Sequence, residues 1–217
     1  MISRWTARRS TGSICRGYWG STELIRILRA AYHKSMPWKN GGGVTTEIAV
    51  HPEGSARDAF DWRVSMARVE SDGPFSAFPR IDRTLAVLEG EDISLTIGGD
   101  EPVLLGRESA PLTFPADRPT HGALATGPIL DLNVMVRRGS VRASVERHVV
   151  SGTLDLSPEP GWTLVLVNHG SALLRHDGSV ENLDARDCLL VEDGGPPLRI
   201  EASEACECYI IRLAREA

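Results

Sequence analysis

Short runs of alternating hydrophobic and polar residues recur along most of this chain, separated by Gly, Pro, Asp and Asn. Alternation with a period of two is typical of β-strands that bury one face. Helical periodicity is scarce, and the segment 22–32 is compatible with either a strand or a short helix. The pattern therefore predicts an all-β sandwich or barrel. The predicted strands are 44–50, 60–69, 84–89, 92–97, 102–105, 111–114, 129–137, 141–149, 162–168, 171–176, 186–191, 197–202 and 206–213.

Three of these strands have an unusually polar second face. In the segment DWRVSMARV, apolar residues alternate with Arg63 and Ser65; ILDLNVMVRR carries Asp131 and Asn133 in the same way, and VTTEIAV carries Glu47. The polar faces could lie in water, as in a half-buried sheet. Alternatively, they point into a small barrel or cleft that holds a ligand. A buried arginine would then need a partner, which could be Glu47, Asp131 or a ligand carboxylate.

The second alternative also has a consequence for the apolar faces. They would pack against the second half of the chain or against a partner subunit, so a homodimer is one of the arrangements left open. A break near 138–140 divides the body into a first half, 23–139, and a shorter second half, 140–217. Residues 1–22 contain four arginines and no acidic residue, without the apolar core of a secretory signal. We expect this segment to be a disordered extension or the result of a misassigned start codon.

Composition excludes several classes of protein. The 217-residue chain has a formal net charge of −5, which argues against nucleic-acid binding. No apolar run of membrane-spanning length occurs, so no membrane partner is expected. The four cysteines form no C-x-x-C pair, which predicts reduced thiols in a cytoplasmic protein. The six histidines include no pair at i,i+2 or i,i+4, so neither a metal site nor another cofactor is expected.

The stretch MPWKNGGGVTTEI places Trp38, Lys39 and Asn40 directly before three glycines. It is not a P-loop, since no Gly-Lys-Ser/Thr follows, and it lacks the spacing of a dinucleotide fingerprint. Three glycines are common where the backbone turns tightly or lies close to another group. The stretch is therefore either a structural turn or a ligand-binding loop.

A second informative segment is ESDGPFSAFPRIDRTLAVLEG. Its purely structural interpretation is a loop filled by aromatic side chains, with Asp82 and Arg83 as a surface ion pair. Its functional interpretation makes Ser76, Phe78 and Arg83 ligand contacts.

These segments together resemble one protein family. The blocks MPWKNGGGVTTEI, FDWRVSMARVESDGPFSAFPRIDR, FPADRPTHG and GPILDLNVMVRRG are similar to those of the HutD/Ves family. The resemblance implies a cupin-type β-barrel in a bicupin arrangement, with a large first barrel and a smaller second half. It also implies an association with bacterial histidine utilisation and a ligand-sensing role. This chain departs from the family pattern at Thr46, where Arg is common, and at Arg80, where Gly is common, which leaves the loop conformation at Arg80 open.

The cupin resemblance allows the metal motif of that fold to be located. Counting back from Gly90, the glutamate of the motif falls on Arg83 and its two histidines fall on Ser76 and Phe78. A hydroxyl, an aromatic ring and a guanidinium cannot hold a divalent cation. Arg83 would instead offer a bidentate fork to a carboxylate. His121 lies near the histidine of the second cupin motif, displaced by one position, and is a further pocket candidate.

The expected function is therefore a metal-free cupin-type binding protein that senses or regulates histidine utilisation. Its partner would be a small carboxylate intermediate such as formylglutamate or urocanate. The alternatives are a metal-independent isomerase or hydrolase that uses Glu47, His121 or Asp131, and an interaction module whose apolar strand faces bind another protein. The predicted ligand contacts are Trp38, Lys39, Asn40, Glu47, Arg63, Ser65, Ser76, Phe78, Arg83, His121 and Asn133.

Overall fold

Strands dominate the computed structural model, which describes residues 24–39, 41–56 and 58–216. Within these ranges the helical element is one 3-10 turn, Ala30–Tyr32, and no described helix is long and apolar enough to cross a membrane. The all-β prediction is confirmed. The strands are β1 Ile25–Leu28, β2 Lys34–Pro37, β3 Gly43–His51, β4 Trp62–Val69, β5 Gly73–Pro74, β6 Ile81–Glu89, β7 Ile93–Ile97, β8 Val103–Leu105, β9 Leu112–Pro115, β10 Thr120–Leu124, β11 Ile129–Arg137, β12 Val141–Leu156, β13 Trp162–His169, β14 Ala172–His176, β15 Ser179–Leu183, β16 Cys188–Glu192 and β17 Leu198–Arg215.

The strands form three antiparallel sheets, which we call central, front and back. The central sheet has the order β2-β3-β4-β11-β6-β9, and the front sheet has the order β5-β10-β7-β8. The back sheet has the order β1-β16-β13-β17-β14-β15, and its long strand β12 also pairs with β17. The central and front sheets thus consist of first-half strands, and the back sheet consists of second-half strands together with β1.

The central sheet lies between the other two and packs on both. Its back face carries Trp62, Val64 and Met66, as the alternation in β4 requires. These side chains form one hydrophobic core with residues of the back sheet, including Trp162 and Tyr209. Of the two arrangements left open for the apolar strand faces, the structure has the one in which they pack against the second half of the chain.

The front face of the central sheet packs on the front sheet. One cluster of this interior joins Leu85, Val87, Ile93 and Leu95 with their neighbours. A smaller cluster lies near Arg63 and Arg83 and consists of Phe60, Phe78, Ile81, Ala116 and Met135. Met135 pairs with both arginines across the sheet. The polar side chains of the central sheet are therefore enclosed between two apolar clusters.

The division of the chain differs from expectation at its beginning. Strand β1 pairs with β16, so residues 25–28 belong to the back sheet of the second half, although the first half was predicted to begin at residue 23. The chain reaches the central sheet only with β2, which pairs with β3. The predicted disordered extension, 1–22, lies outside the described residues.

Candidate functional site

The triple-glycine stretch forms the turn of the β2–β3 hairpin. The Trp38 amide donates to the Gly43 carbonyl at 2.9 Å, and the Gly41 amide donates to the Trp38 carbonyl at 3.1 Å. Gly41 has a φ of +72°, which glycine adopts without strain. A Cβ on Gly43 would lie 2.2 Å from the Arg68 carbonyl oxygen of β4. Chain geometry therefore accounts for two of the three glycines without any ligand.

The residues around this turn have different positions. Trp38 is half-buried against the front-face core, and its Nε1 donates to Thr45 Oγ1 at 2.8 Å. Lys39 is exposed at the tip of the hairpin. Asn40 lies outside the described residues. Trp38 is thus tied to the barrel interior, whereas Lys39 is presented to solvent.

Six polar side chains converge on the front face of the central sheet, and we call them the interior polar cluster. They come from four neighbouring strands whose register brings them side by side, because Glu47 pairs with Ser65 and Ser65 pairs with Asn133. All except Glu47 are buried, and Glu47 keeps about a fifth of its side chain exposed. The cluster consists of Glu47 on β3, Arg63 and Ser65 on β4, Arg83 on β6, and Asp131 and Asn133 on β11.

Arg63 and Glu47 form an ion pair inside this cluster. Arg63 Nε lies 3.0 Å from Glu47 Oε2, and the arginine is only 8% exposed. A guanidinium at this depth requires a counter-charge. The sequence suggests Glu47, Asp131 or a ligand carboxylate as the partner of a buried arginine. For Arg63, Glu47 is such a partner.

Arg83 is held by aromatic rings. Its guanidinium carbon lies 5.2 Å from the centre of the Phe75 ring, 5.8 Å from Phe78 and 6.0 Å from Phe114. Nη2 donates to the Ser76 carbonyl oxygen at 3.3 Å. The buried Nε has no hydrogen-bond acceptor among the described residues. Burial lowers the pKa of Arg83 to about 10, against the attraction of Asp131, and the guanidinium remains charged at neutral pH.

Asp131 is the most deeply buried charged residue of the cluster, with no exposed surface. Asn133 Nδ2 donates to its Oδ1 at 2.5 Å, while Oδ2 receives no hydrogen bond from the described part of the chain. Burial raises the pKa of Asp131 to about 7, although Arg83, the Asn133 bond and the backbone amide of Ala67 act in the opposite direction. The carboxyl group is therefore poised to gain or lose a proton near neutral pH.

Three further predicted site residues have distinct outcomes. Phe78 is buried with its ring near Arg83, and Ser76 accepts a hydrogen bond from Arg83 at its backbone carbonyl. His121 is exposed on β10 between the buried residues Thr120 and Gly122. Because side chains alternate along a strand, His121 points away from the interior, so its placement in the pocket is wrong.

Residues that sequence reasoning missed complete the arginine site. The sequence does not single out Phe114, which β9 places directly opposite Arg83 in the sheet register. The sequence places Phe75 in the loop before β6 without linking it to Arg83. A phenylalanine before a proline gives no sign of this role, because the pairing of β6 with β9 is a long-range contact.

The cluster does not fit the metal that cupin-type barrels often hold. Two guanidinium groups repel a cation, and the cluster contains no imidazole or thiolate ligand. Across the described ranges, no group of three or more His, Cys, Asp or Glu side chains is arranged to hold a metal ion. The donors present suit an anion instead.

The fold and this interior define an all-β, cupin-like protein. Distant solved structures share the fold alone, for example a putative glyoxylate induced protein from Pseudomonas aeruginosa, with a TM-score of 0.67, 11% identity and coverage of 99% of this chain and 96% of that one. The model of the HutD family matches residues 30–210. The chain belongs to the HutD family.

Individual relatives agree with this assignment. Protein Ves of Cronobacter sakazakii is 34% identical over 68% of this chain and 92% of its own. An uncharacterized 21.2 kDa protein in the hutC 3' region of Pseudomonas putida is 31% identical over 82% of this chain and 92% of its own.

Two solved structures are also similar at the sequence level. A conserved protein of unknown function from Pseudomonas aeruginosa PAO1 has a TM-score of 0.81 at 33% identity, covering 89% of this chain and 99% of that one. HutD from Pseudomonas fluorescens SBW25 has a TM-score of 0.75 at 30% identity, covering 89% of this chain and all of that one.

Proposed function

We propose that this protein is a cytoplasmic, metal-free bicupin that binds a small carboxylate in the first-half barrel and thereby senses or regulates histidine utilisation. The observation that carries the proposal is Arg83, a buried guanidinium whose Nε lacks an acceptor within the described residues. A buried charged donor without a partner is costly. A ligand carboxylate would satisfy it with the planar fork geometry that arginine favours.

The surroundings of Arg83 support a small anionic ligand. The three phenylalanine rings fix the guanidinium in one orientation, so little side-chain entropy is lost on binding. Arg63 adds a second positive charge, which already has Glu47 as a partner. Two relatives, one from the hutC 3' region and one named HutD, make intermediates of histidine breakdown the first candidates. Formylglutamate and urocanate both carry a carboxylate and have the required size.

Ligand-induced thermal stabilisation tests this proposal. A ligand at 100 times its Kd raises the free energy of unfolding by about 2.7 kcal/mol. We expect formylglutamate or urocanate to raise the Tm of the parent protein, and Arg83→Ala, Arg83→Lys and Arg63→Ala to abolish the shift. Arg83→Lys keeps the charge but loses the fork, so it separates geometry from charge.

The control for these variants is Arg142→Ala, which removes an exposed arginine of β12. Its shift should equal that of the parent. If Arg83→Ala and Arg63→Ala fold and still respond like the parent, the binding site is not in the interior polar cluster.

Metal-independent catalysis is the second candidate, and one observation favours it. A buried carboxyl group with a pKa of about 7 is what a general acid or base needs. An enzyme would convert formylglutamate or urocanate during incubation, which NMR spectra of the ligand would reveal, and Asp131→Asn would stop it. A binding protein would leave the ligand spectrum unchanged.

A further inference from the structure

The ionisable groups of the interior polar cluster carry equal numbers of opposite charges when all are ionised. Arg63 and Arg83 are the cations, and Glu47 and Asp131 are the anions. A bound carboxylate ligand would add at least one negative charge to a site that is almost closed to water. Because an unbalanced buried charge is strongly unfavourable, one of the acidic groups should become neutral when the ligand binds.

We propose that binding of a carboxylate in this cluster is coupled to the uptake of one proton by Asp131. The inference rests on the proposed function and adds to it a regulation of the same site by pH. It follows from position: Asp131 is fully buried, and its Oδ2 has no hydrogen-bond donor among the described residues. A proton on Oδ2 would turn this acceptor into a donor that faces the incoming anion.

The surroundings of Asp131 explain why this group and not Glu47 takes the proton. Glu47 is partly exposed and already has an ion-pair partner, because its Oε2 lies 3.0 Å from Arg63 Nε. Asp131 is fully buried, and its Oδ2 lacks a donor within the described ranges. The two strands beside Asp131 bring Arg63 on β4 and Arg83 on β6, and β3 brings Glu47.

Two uncharged groups also act on Asp131, the side-chain amide of Asn133 and the backbone amide of Ala67 on β4. Asn133 lies two residues along β11 and bonds to Oδ1. The front sheet offers the apolar side chains of Ile93 and Leu95 to this interior. When the ligand occupies Arg83, Asp131 therefore loses part of the attraction that opposes its protonation. The pKa of about 7 in the free protein places the coupling near neutral pH.

The coupling predicts a definite pH profile. Below pH 7 the free protein already holds the proton, so the Kd should not change with pH. Above pH 7 each unit should weaken binding about tenfold, until the pKa of the liganded state is reached. At pH 8.5 the Kd should therefore be about 30-fold higher than at pH 6. Measurements should stop at pH 9, because Arg83 titrates near 10.

Isothermal titration of formylglutamate into the purified protein tests the proposal. At pH 8, titrations in Tris and in HEPES give the number of protons taken up, from the difference in heat between buffers of different ionisation enthalpy. We expect close to one proton for the parent. Asp131→Asn mimics the neutral form, so it should take up none and should bind at pH 8.5 as the parent does at pH 6.

Two further variants make the outcome specific. Glu47→Gln should keep the proton uptake of the parent, since its own carboxylate is not the acceptor. The exposed His121 is retained in every variant, so it cannot explain a difference between them. The parent protein in two buffers gives an answer even if Asp131→Asn does not fold.

Three results would overturn the inference in distinguishable ways. Binding without proton uptake in the parent contradicts the coupling and leaves the proposed function intact. Proton uptake that disappears in Glu47→Gln but persists in Asp131→Asn assigns the proton to Glu47 and rejects Asp131. No binding of formylglutamate at any pH between 6 and 9, together with no thermal shift by urocanate, rejects the proposed function itself.

Discussion

The two halves of this protein enclose interiors of opposite character. In the first half, the space between the central and front sheets holds the interior polar cluster with its four ionisable side chains. In the second half, the back sheet curves around a cluster of apolar side chains that includes Val165, Leu174 and Ile200. Even Cys206 and Cys208 serve there as small hydrophobic residues.

This difference shows how one kind of strand alternation serves two purposes. In both halves every second residue of a strand points inward. In the first half several of those positions carry charged side chains, of which Arg63 and Glu47 form an ion pair, while Arg83 Nε and Asp131 Oδ2 have no partner among the described residues. In the second half they were given aliphatic groups, which contribute stability through burial. The second half thus acts as a support, because its back sheet packs on the face of the central sheet opposite the site.

The largest expected effect on stability comes from placing a charge in the apolar interior of the second half. Leu174→Arg places an unpaired charge in the apolar interior of the second half, where Leu174 is fully buried. We expect it to lower the free energy of unfolding by more than about 4 kcal/mol, measured by urea denaturation.

The matched change in the first half is Arg83→Met at pH 6, where Asp131 is protonated. Removing the guanidinium also removes its desolvation cost, so the change should stay below about 1.5 kcal/mol. Equal losses for the two variants would mean that the interiors do not differ in their tolerance of charge.

A moderate effect is expected where the halves meet. Arg186, from the second half, donates to Asn168 and to Glu89 at the end of β6. Arg186→Ala would leave the fully buried Asn168 without this partner and remove a link between the halves. We expect a loss of about 2 kcal/mol, measured by thermal or urea unfolding.

The control for this link is Arg199→Ala. Arg199 pairs with Asp155 at 2.7 Å, but both side chains are more than half exposed. Surface pairs of this kind contribute little, so the loss should stay below about 0.5 kcal/mol. Equal losses in the two variants would show that the Arg186 contacts are no more than a surface feature.

The smallest effect concerns a loop beside the site. Arg80 has a φ of 60°, a conformation that costs a residue with a Cβ about 1 kcal/mol. Arg80→Gly should therefore raise the free energy of unfolding by about 1 kcal/mol. Gly139→Ala is the reverse change at a φ of +80° with open space around the new Cβ, and it should lower stability by a similar amount. A destabilised Arg80→Gly would mean that the side chain of Arg80 matters more than its backbone.

Local alternation made the central sheet predictable. The segment DWRVSMARV assigns Trp62 and Val64 to one face and Arg63 and Ser65 to the other, and the structure buries both faces against different partners. The sequence also shows that Arg80 stands where the family commonly has Gly. In the structure, Arg80 keeps the left-handed backbone conformation that a glycine would adopt there.

Long-range pairing could not be predicted in the same way. The residues of β10 and β15 show little alternation, and neither strand was predicted, because they are defined by hydrogen bonds to β7 and β14. The predicted strands 197–202 and 206–213 are one strand, β17, whose partner β12 holds them together across an irregular register. The partners of Arg83 depend on which strands neighbour β6, so the ring of phenylalanines became visible only in three dimensions.

The membership of β1 in the back sheet has a consequence for any attempt to separate the halves. The chain passes between them twice, once after β1 and once after β11, so cutting near 139 would not yield two self-sufficient fragments. A C-terminal fragment would expose the unpaired edge of β16, and exposed strand edges favour aggregation. A workable split protein would need residues 24–28 grafted onto, or supplied together with, the C-terminal piece.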